Sequence, residues 1–403
     1  MAGRITLTRG SCVLLIAVSY MRLAMLPISA ADFEISGEGF SVRLIDNSPT
    51  FSVITGINSH GAVIGLREQI DAKTQVGGQQ GFYRKGETER IAPILEGYTN
   101  TEIQALSDTG QVIGYASRPI GNPKGSITAV VWDTSSGKIT DLGKPMGDAG
   151  SHAQDICADG TRITGYASGS NPARLRPCVW TWNREQSTWD VDVLPTMFEY
   201  NPFLMTSNVL ISPDGKRIAA CIVSQQLPSG GFEYEVHIWE QDQDQAWVNR
   251  KVGAKEFRLK DMNNRGMIVG AVKPTSSNSI NIRPCWVDEE GAMHLIKLFP
   301  DDVSGEALGI DESGTVVGFS DDPPGPDGGP QAFVYRDGLT KPLELPPKTQ
   351  FSSAQAINSR GQIAGMMDVT IPQANKQEPN SEPIVKTLGF VWTPKAATTA
   401  KAK

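Results

Sequence analysis

The sequence is poor in the residue types that most often carry catalysis and metal binding. Its four histidines, His60, His152, His237 and His294, fall in different parts of the chain without the spacing of metal ligands, so we expect surface or packing roles for them. No HExxH, Walker loop, GxSxG or CxxC motif is present. The sequence therefore predicts no catalytic residue, no bound cofactor and no metal site.

Cysteine is also scarce. After the first thirty residues four remain, at Cys157, Cys178, Cys221 and Cys285. An exported chain could join them in two disulfides. The strand assignment below, however, places Cys157 and Cys178 two strand spacings apart, roughly 9 to 10 Å, which is beyond the reach of a disulfide. We therefore predict four unpaired, mostly buried thiols.

Long apolar runs are missing after residue 30, and this predicts a chain without a membrane span. The first thirty residues differ. Arg4 and Arg9 precede the apolar run SCVLLIAVSYM, and small residues allow cleavage after Ala30. This pattern predicts a signal peptide over residues 1–30 and an extracytoplasmic location. Arg22 interrupts the apolar stretch, so an uncleaved anchor or a later translation start are the alternatives.

Basic residues are in the minority. Without residues 1–30 the chain has 34 basic and 44 acidic residues, a balance of −10. Nucleic acids and anionic lipids need cationic contacts, so the composition predicts neither as a partner. We expect a monomer that binds a protein or a glycan.

One short sequence phrase occurs seven times along the chain. The copies are GINSHGAVIG (56–65), ALSDTGQVIG (105–114), DICADGTRITG (155–165), LISPDGKRIAA (210–220), DMNNRGMIVG (261–270), GIDESGTVVG (309–318) and AINSRGQIAG (356–365). Their first glycines are separated by 49, 50, 55, 51, 48 and 47 residues. Such a regular period near fifty residues is typical of an internal structural repeat.

The phrase has the physical features of a β-hairpin. An apolar residue such as Ile57 or Ile310 ends one strand, and polar turn residues lead to a glycine that can adopt positive φ. An alternating strand follows, and a second glycine lies inside it, where Ala220 stands in the fourth copy. This second glycine predicts a close approach of backbone or tight packing against a neighbouring sheet.

Two further strands follow each hairpin. The first has an aromatic residue near its end, as in AVVW (129–132), PCVW (177–180), VHIW (236–239), AFVY (332–335) and GFVW (389–392). We predict that these aromatics pack between sheets rather than stack on a ligand. The second is an outer strand such as KITDLG (138–143) or KPLELP (341–346). Each repeat is therefore four strands in sequence.

Seven four-stranded repeats predict an all-β fold, a seven-bladed β-propeller over residues 31–393. The last repeat lacks its fourth strand, while the strand FSVRLID (40–46) precedes the first repeat. We predict that this strand completes blade 7 as its outer strand and removes the open edge. A parallel β-solenoid is the alternative. Residues 394–403, rich in Ala, Thr and Lys, are predicted to be a disordered tail.

The combination AINxxGxxxG … AFVW … L resembles the extracellular HAF-repeat family over residues 50–393. This resemblance implies export and a propeller-like fold, and little about function. The fourth copy, ISPDGKRIA, is also similar to the repeat of TolB-type propellers. Copies three to five depart most from the family pattern, so if a blade is irregular it should be among them.

Loops of variable length predict which face recognises a ligand. The loops at 66–80, 320–331 and 368–387 vary widely, whereas the Gly turn between strands one and two hardly changes. We predict an exported, non-catalytic binding module that acts through these loops. The alternative is an enzyme, a glycan hydrolase or lyase, at the mouth of the central channel, which three or more convergent charged residues there would favour. A structural role at the cell surface is the third hypothesis.

Overall fold

Seven antiparallel sheets, one for each sequence repeat, make up the described part of the chain. The computed structural model describes residues 33–395 except 38, 46–47, 49–50, 71–76, 120–126, 170–174, 197–204, 227, 229–231, 256, 274–280, 323–328, 347–348, 350 and 372–383. No helix occurs in the described ranges. The prediction of a seven-bladed β-propeller is confirmed.

The strands follow one another along the chain, and blades 1 to 6 each take four consecutive strands. Blades 1 to 4 contain β3 (Ser52–Ile57), β4 (Val63–Ile70), β5 (Gly77–Lys85), β6 (Thr88–Ile91); β7 (Asn100–Leu106), β8 (Gln111–Ser117), β9 (Ile127–Asp133), β10 (Ile139–Asp141); β11 (Asp148–Ile156), β12 (Arg162–Gly169), β13 (Leu175–Asn183), β14 (Thr188–Val193); and β15 (Met205–Ile211), β16 (Arg217–Gln226), β17 (Phe232–Gln241), β18 (Trp247–Lys255).

The remaining three blades contain the strands that close the ring. They are β19 (Phe257–Met262), β20 (Ile268–Val272), β21 (Arg283–Val287), β22 (Met293–Leu295); β23 (Ser304–Ile310), β24 (Val316–Asp321), β25 (Gln331–Arg336), β26 (Leu339–Pro342); and β27 (Ser352–Ile357), β28 (Ile363–Ile371), β29 (Ile384–Pro394), joined by β2 (Phe40–Ile45) and β1 (Phe33–Ser36).

Blade 7 is completed by the N-terminal strand, as predicted. β2 pairs antiparallel with β29 in a register that sets Leu44 opposite Phe390. One part of the prediction was wrong, because β2 is the fourth strand and not the outermost one: β1 pairs on its far side as a fifth strand. β29 also extends through Pro394, one residue past the predicted end of the domain.

The strand-one to strand-two turns form as the sequence predicts. The first glycine of every copy has positive φ, between 70° at Gly361 and 86° at Gly110 and Gly314. β3 ends at Ile57 and β23 at Ile310, the apolar positions expected to end the first strand. Glycine is needed here because other residues rarely adopt positive φ.

The second glycine is explained by a β-bulge in the inner strand. In blade 2 one extra residue, Gln104, lies between Ile103 and Ala105, which pair with Gly114 and Ile113. A Cβ atom at Gly114 would lie 1.8 Å from the carbonyl oxygen of Glu102. The predicted close backbone approach is therefore confirmed, and it occurs within the blade.

Blade 4 shows why the fourth copy tolerates alanine. Val209, Leu210 and Ile211 pair with Ala220, Ala219 and Ile218 without an inserted residue. The register shift of this strand lies earlier, between Met205 and Val209. Without a bulge beside it, the backbone leaves room for the methyl group. Blade 4 has register shifts in all three strand pairs, so the irregular blade is among copies three to five, as predicted.

The hydrophobic core lies between neighbouring blades. Trp180 packs with Val131 and Leu142 of blade 2, and Trp239 packs with residues of blade 3 that include Leu194. Both indoles are fully buried. Trp239 Nε1 donates to the Pro195 carbonyl at 2.8 Å. These aromatic residues pack between neighbouring blades, as predicted. The four cysteines of the described ranges are buried and none of them forms a disulfide, which agrees with the predicted thiols.

The variable loops are shorter than the sequence predicted. The predicted loop at 66–80 is, in its described parts, the continuation of β4 to Ile70 and of β5 from Gly77. β28 and β29 likewise extend to Ile371 and from Ile384 into the predicted loop at 368–387. The tips of these loops, and nearly all of the predicted tail, lie outside the described residues.

Candidate functional site

The central channel opens into a cavity of ≈ 590 Å³ on the face that carries the turns between strands one and two. Residues of all seven blades line it, because every blade contributes its innermost strand and its turn. A volume in this range is typical of small-molecule and peptide sites. The cavity lies on the face opposite the loops that the sequence favoured for recognition.

The β-bulges determine which side chains line the wall of this cavity. The bulge residue of six inner strands lines it, and Asn208 does so in blade 4. The seven residues are Thr55, Gln104, Gln154, Asn208, Lys260, Leu308 and Gln355. A bulge re-aims one side chain without disturbing the rest of the strand. The wall is therefore rich in amides, which both donate and accept hydrogen bonds.

Sequence reasoning missed these residues although the repeat marks them. Each bulge residue stands six positions before the first glycine of its copy, as Gln104 does before Gly110 and Lys260 before Gly266. Within this phrase of nearly constant residues the position varies between polar, apolar and basic types. Variation inside a constant phrase was the available signal.

The rim of the cavity is a ring of turns that hold one another. Ser59 N donates to Asp108 Oδ1 at 2.8 Å, from blade 1 to blade 2. Asp214 N donates to Asn264 Oδ1 at 2.7 Å, from blade 4 to blade 5. Asn358 Nδ2 donates to the Asn58 carbonyl at 2.8 Å, from blade 7 back to blade 1. These contacts between turns give the mouth a rigid rim.

Two aspartates form matching bridges across the wall. Asp155 Oδ2 accepts a hydrogen bond from Ile211 N of the next blade at 2.8 Å, and Asp261 Oδ2 accepts one from Ile310 N at 2.9 Å. Burial raises the pKa of Asp155 to about 7, against the opposing effect of its N–H donors. Burial likewise raises the pKa of Asp261 to about 7, and the charge of Asp155 adds to it.

The cavity is acidic. Its described lining includes six carboxylates and a single basic residue. The carboxylates are Asp108, Asp155, Asp214, Asp261, Asp311 and Glu312. The base is Lys260, whose Nζ lies 3.4 Å from Glu306 Oε2, so its charge is largely compensated. A low-dielectric recess lined by one sign of charge concentrates ligands of the opposite sign.

One nucleophile–base contact lies at the rim. Ser59 Oγ is 3.0 Å from Nδ1 of the adjacent His60, whose side chain is exposed. Among the described residues, no side chain hydrogen-bonds to the other ring nitrogen to orient the imidazole. An activated serine needs a base that a third group holds in place, so this contact does not form a catalytic triad.

The histidines do not converge. His60 and His294 are exposed, whereas His237 is fully buried and its Nδ1 lies 2.7 Å from Asn249 Oδ1. His152 is buried between Tyr115 and Tyr166, with ring centroids 4.0 and 4.9 Å away. Each has a surface or packing role, as expected.

Two negative findings apply to the described ranges alone. They contain no group of three or more His, Cys, Asp or Glu side chains that could hold a metal ion. In the same ranges no helix is long and apolar enough to cross a membrane.

Comparison with known proteins bears on the fold. No protein-family model matches this sequence, and neither does any curated protein. Among solved structures, the chain is similar to the β-propeller domain of the Trilobed protease from Pyrococcus furiosus, with a TM-score of 0.52 and 13% identity. That match covers 84% of this chain and 93% of the other.

Two further similarities are to peptidases. One of two prolyl endopeptidases studied for inter-domain dynamics matches with a TM-score of 0.54 and 15% identity, over 84% of this chain and 50% of that one. Acylaminoacyl peptidase from Pyrococcus horikoshii matches with a TM-score of 0.50 and 10% identity, over 80% and 50% of the two chains. This chain thus spans about half the length of either peptidase. At these identities the likeness concerns the fold alone.

Proposed function

We propose that the protein is an exported, non-catalytic binding module of the HAF-repeat kind, which binds a positively charged group of its partner in the channel mouth. The observation that carries this proposal is the acidic, amide-lined cavity on a rim of interlocked turns. Preorganised side chains lose little conformational entropy on binding, so a rigid recess of this kind favours recognition.

The carboxylates of the wall support binding rather than turnover. Asp155 and Asp261 each use both oxygens to accept main-chain N–H groups: Asp155 from Ile156 and Ile211, Asp261 from Met262 and Ile310. A general acid or base must reach the substrate proton directly or through one water. Oxygens that already bridge two blades are poorly placed for that, but once these groups ionise, with pKa values of about 7, their charge attracts a cation.

Export is proposed from the sequence of residues 1–30, which lie outside the described part of the chain. The loops on the opposite face are proposed as a second contact surface, for a protein or glycan partner. We propose that the module acts as a monomer.

The test uses tetralysine as a cationic probe and tetraglycine as its neutral counterpart, with residues 31–403 in low salt. Gln104 is exposed on the channel wall, so Gln104→Arg puts a positive charge into the mouth. We expect tetralysine binding, measured by calorimetry, to weaken at least tenfold. Gln79→Arg, the same change at an exposed position of β5, is the control and should leave binding within twofold. Equal binding by both variants contradicts the proposal.

A second candidate is a glycan hydrolase or lyase at the same mouth, where six carboxylates meet the condition of three or more convergent charged residues that was expected to favour an enzyme. The two carboxyl groups with pKa values raised to about 7 favour it, because a general acid works best with a pKa near the operating pH. Release of new sugar ends from glycans by the wild type, abolished in Asp261→Asn, would establish this alternative. Tetralysine binding without such turnover would exclude it for the glycans tested.

A further inference from the structure

Repeats three and four differ from the other five by one residue. The second small residue of a copy follows the first glycine by five positions in these two repeats, at Gly165 and Ala220. In the other five repeats the spacing is four, as from Gly110 to Gly114. The lengthening changes the turn that joins strands one and two of blades 3 and 4.

The turn hydrogen bonds show where the extra residue sits. In the shorter turns the first residue bonds to the fourth residue after it, as where Asn58 N donates to the Ala62 carbonyl at 2.9 Å. Cys157 N instead donates to the Arg162 carbonyl, and Ser212 N to the Arg217 carbonyl, five residues on. The longer turns therefore each set an arginine at the start of strand two.

Both arginines line the same cavity. It has a volume of ≈ 720 Å³ and lies between blades 3 and 4, on the turn face. We call it the blade 3–4 groove, lined on its basic side by Arg162, Arg184, Lys216 and Arg217. It borders the channel mouth, with which it shares the lining residue Asp214. The repeats that depart in length are thus the two that border the groove.

The inner arginines are held rigidly. Arg162 donates through Nη1 to the Gly215 carbonyl at 2.7 Å and through Nη2 to Gln241 Oε1 at 2.9 Å. Its guanidinium also lies over the Trp247 ring, 5.6 Å from the centroid. A guanidinium that is already ordered pays little entropy when a ligand binds.

The acidic residues of the groove accept hydrogen bonds or form ion pairs with other groups of the protein. Asp159 Oδ1 accepts from Thr161 N at 2.9 Å and from the Thr161 hydroxyl at 2.7 Å. Glu240 Oε1 accepts from Arg217 Nε at 2.7 Å. Lys216 is 75% exposed and lies 3.5 Å from Asp214, so solvent screens that ion pair. Because Arg217 and Glu240 pair with each other, Arg162, Arg184 and Lys216 stand against Asp159 and Asp214, and basic groups are in excess by one.

An aromatic surface lies beside these cations. Trp182 is half-buried in the groove lining and packs edge-on against Trp189, with centroids 5.4 Å apart. Thr181 and Gln245 add neutral hydrogen-bonding groups. An aromatic face with neutral polar groups suits the C–H face and hydroxyls of a sugar ring, and arginine forks bind carboxylates in pairs of hydrogen bonds.

We propose that the blade 3–4 groove binds a carboxylate-bearing carbohydrate, such as a uronic-acid oligosaccharide. The sugar ring lies on Trp182, and its carboxylate meets the cationic heads of Arg184 and Lys216. Arg162, whose guanidinium donates to the neutral acceptors Gly215 and Gln241, adds positive potential at the groove floor. The site lies beside the channel mouth, which is acidic and takes a ligand of the opposite charge.

The test measures binding of tri-galacturonate by calorimetry, with maltotriose as the neutral trisaccharide and inorganic sulfate as the simple anion. The variants are Arg184→Glu and Lys216→Glu, whose exposed side chains leave folding intact. We expect at least tenfold weaker binding of tri-galacturonate in each. Arg336→Glu is the control, since Arg336 follows the aromatic residue of blade 6 and is 69% exposed. It should bind within twofold of the wild type.

Several results overturn the proposal. They are no tri-galacturonate binding by the wild type, equal binding by Arg184→Glu and Arg336→Glu, or binding of sulfate as tight as that of tri-galacturonate. Binding of maltotriose as tight as that of tri-galacturonate also overturns it, because the carboxylate would then contribute nothing. The channel proposal is tested with a cationic peptide, so failure of either proposal leaves the other standing.

Discussion

Replacing Gly114 by alanine should destabilise the protein strongly although the change adds one methyl group. The new Cβ atom would lie 1.8 Å from the Glu102 carbonyl oxygen and 2.9 Å from the Ile103 Cα atom. Both contacts are main-chain atoms, so no side-chain rotation relieves them. The Glu102 oxygen would have to retreat to at least 3.0 Å, the shortest distance that real Cβ atoms adopt.

The magnitude follows from that displacement. A retreat of about 1.2 Å is roughly a quarter of the 4.7–4.9 Å spacing between strands, so the pairing of β7 with β8 would open locally. Overpacking costs about 1 to 3 kcal/mol, and each lost ladder hydrogen bond costs about 1 kcal/mol. If about two ladder hydrogen bonds are lost as well, the free energy of unfolding should fall by about 3 to 5 kcal/mol. At about 2 °C per kcal/mol, the melting temperature should fall by about 6 °C or more.

Scanning calorimetry measures this, with Gly78→Ala as the matched control. Gly78 lies exposed in β5, and a Cβ atom there would meet nothing within 4 Å. That variant should melt within about 1 °C of the wild type, because exposed substitutions stay within about 0.5 kcal/mol. If Gly114→Ala melts as high as Gly78→Ala, the bulge does not force glycine at this position and the reasoning is refuted.

Two further outcomes follow from the closure of blade 7 and from the channel aspartates. Leu44 is fully buried in β2, so Leu44→Ala should lower the free energy of unfolding in urea by about 2 to 5 kcal/mol. Glu34→Ala, at an exposed position of β1, should leave it almost unchanged. Equal losses in the two variants would mean that β2 does not close the ring. The pKa values of Asp155 and Asp261 are raised from 3.8 to about 7. Between these two pH values the folded chain binds more protons than the unfolded chain, so these groups make the free energy of unfolding fall as the pH rises. Replacing both by asparagine should reduce the difference in melting temperature between pH 5 and pH 8, and an unchanged difference would contradict the assignment.

The repeat determined the architecture from sequence alone. A glycine that needs positive φ, such as Gly110, and an aromatic that each blade must bury, such as Trp239, recur with the same period because every blade solves the same packing problem. The unpaired first strand and the missing last strand likewise implied closure. These are local or repeated requirements, and a sequence records them directly.

The sites were decided by the tertiary structure. Gln104 and Lys260 line one wall although they are far apart in sequence, because a ring of blades converges every inner strand on one axis. Asp155 and Asp261 were not singled out as a pair, since their burial and mutual repulsion exist only across the folded channel. The blade 3–4 groove arises where Arg162 and Arg184 of one blade meet Arg217 of the next. A sequence shows the length of each turn, but the ring alone brings those side chains together.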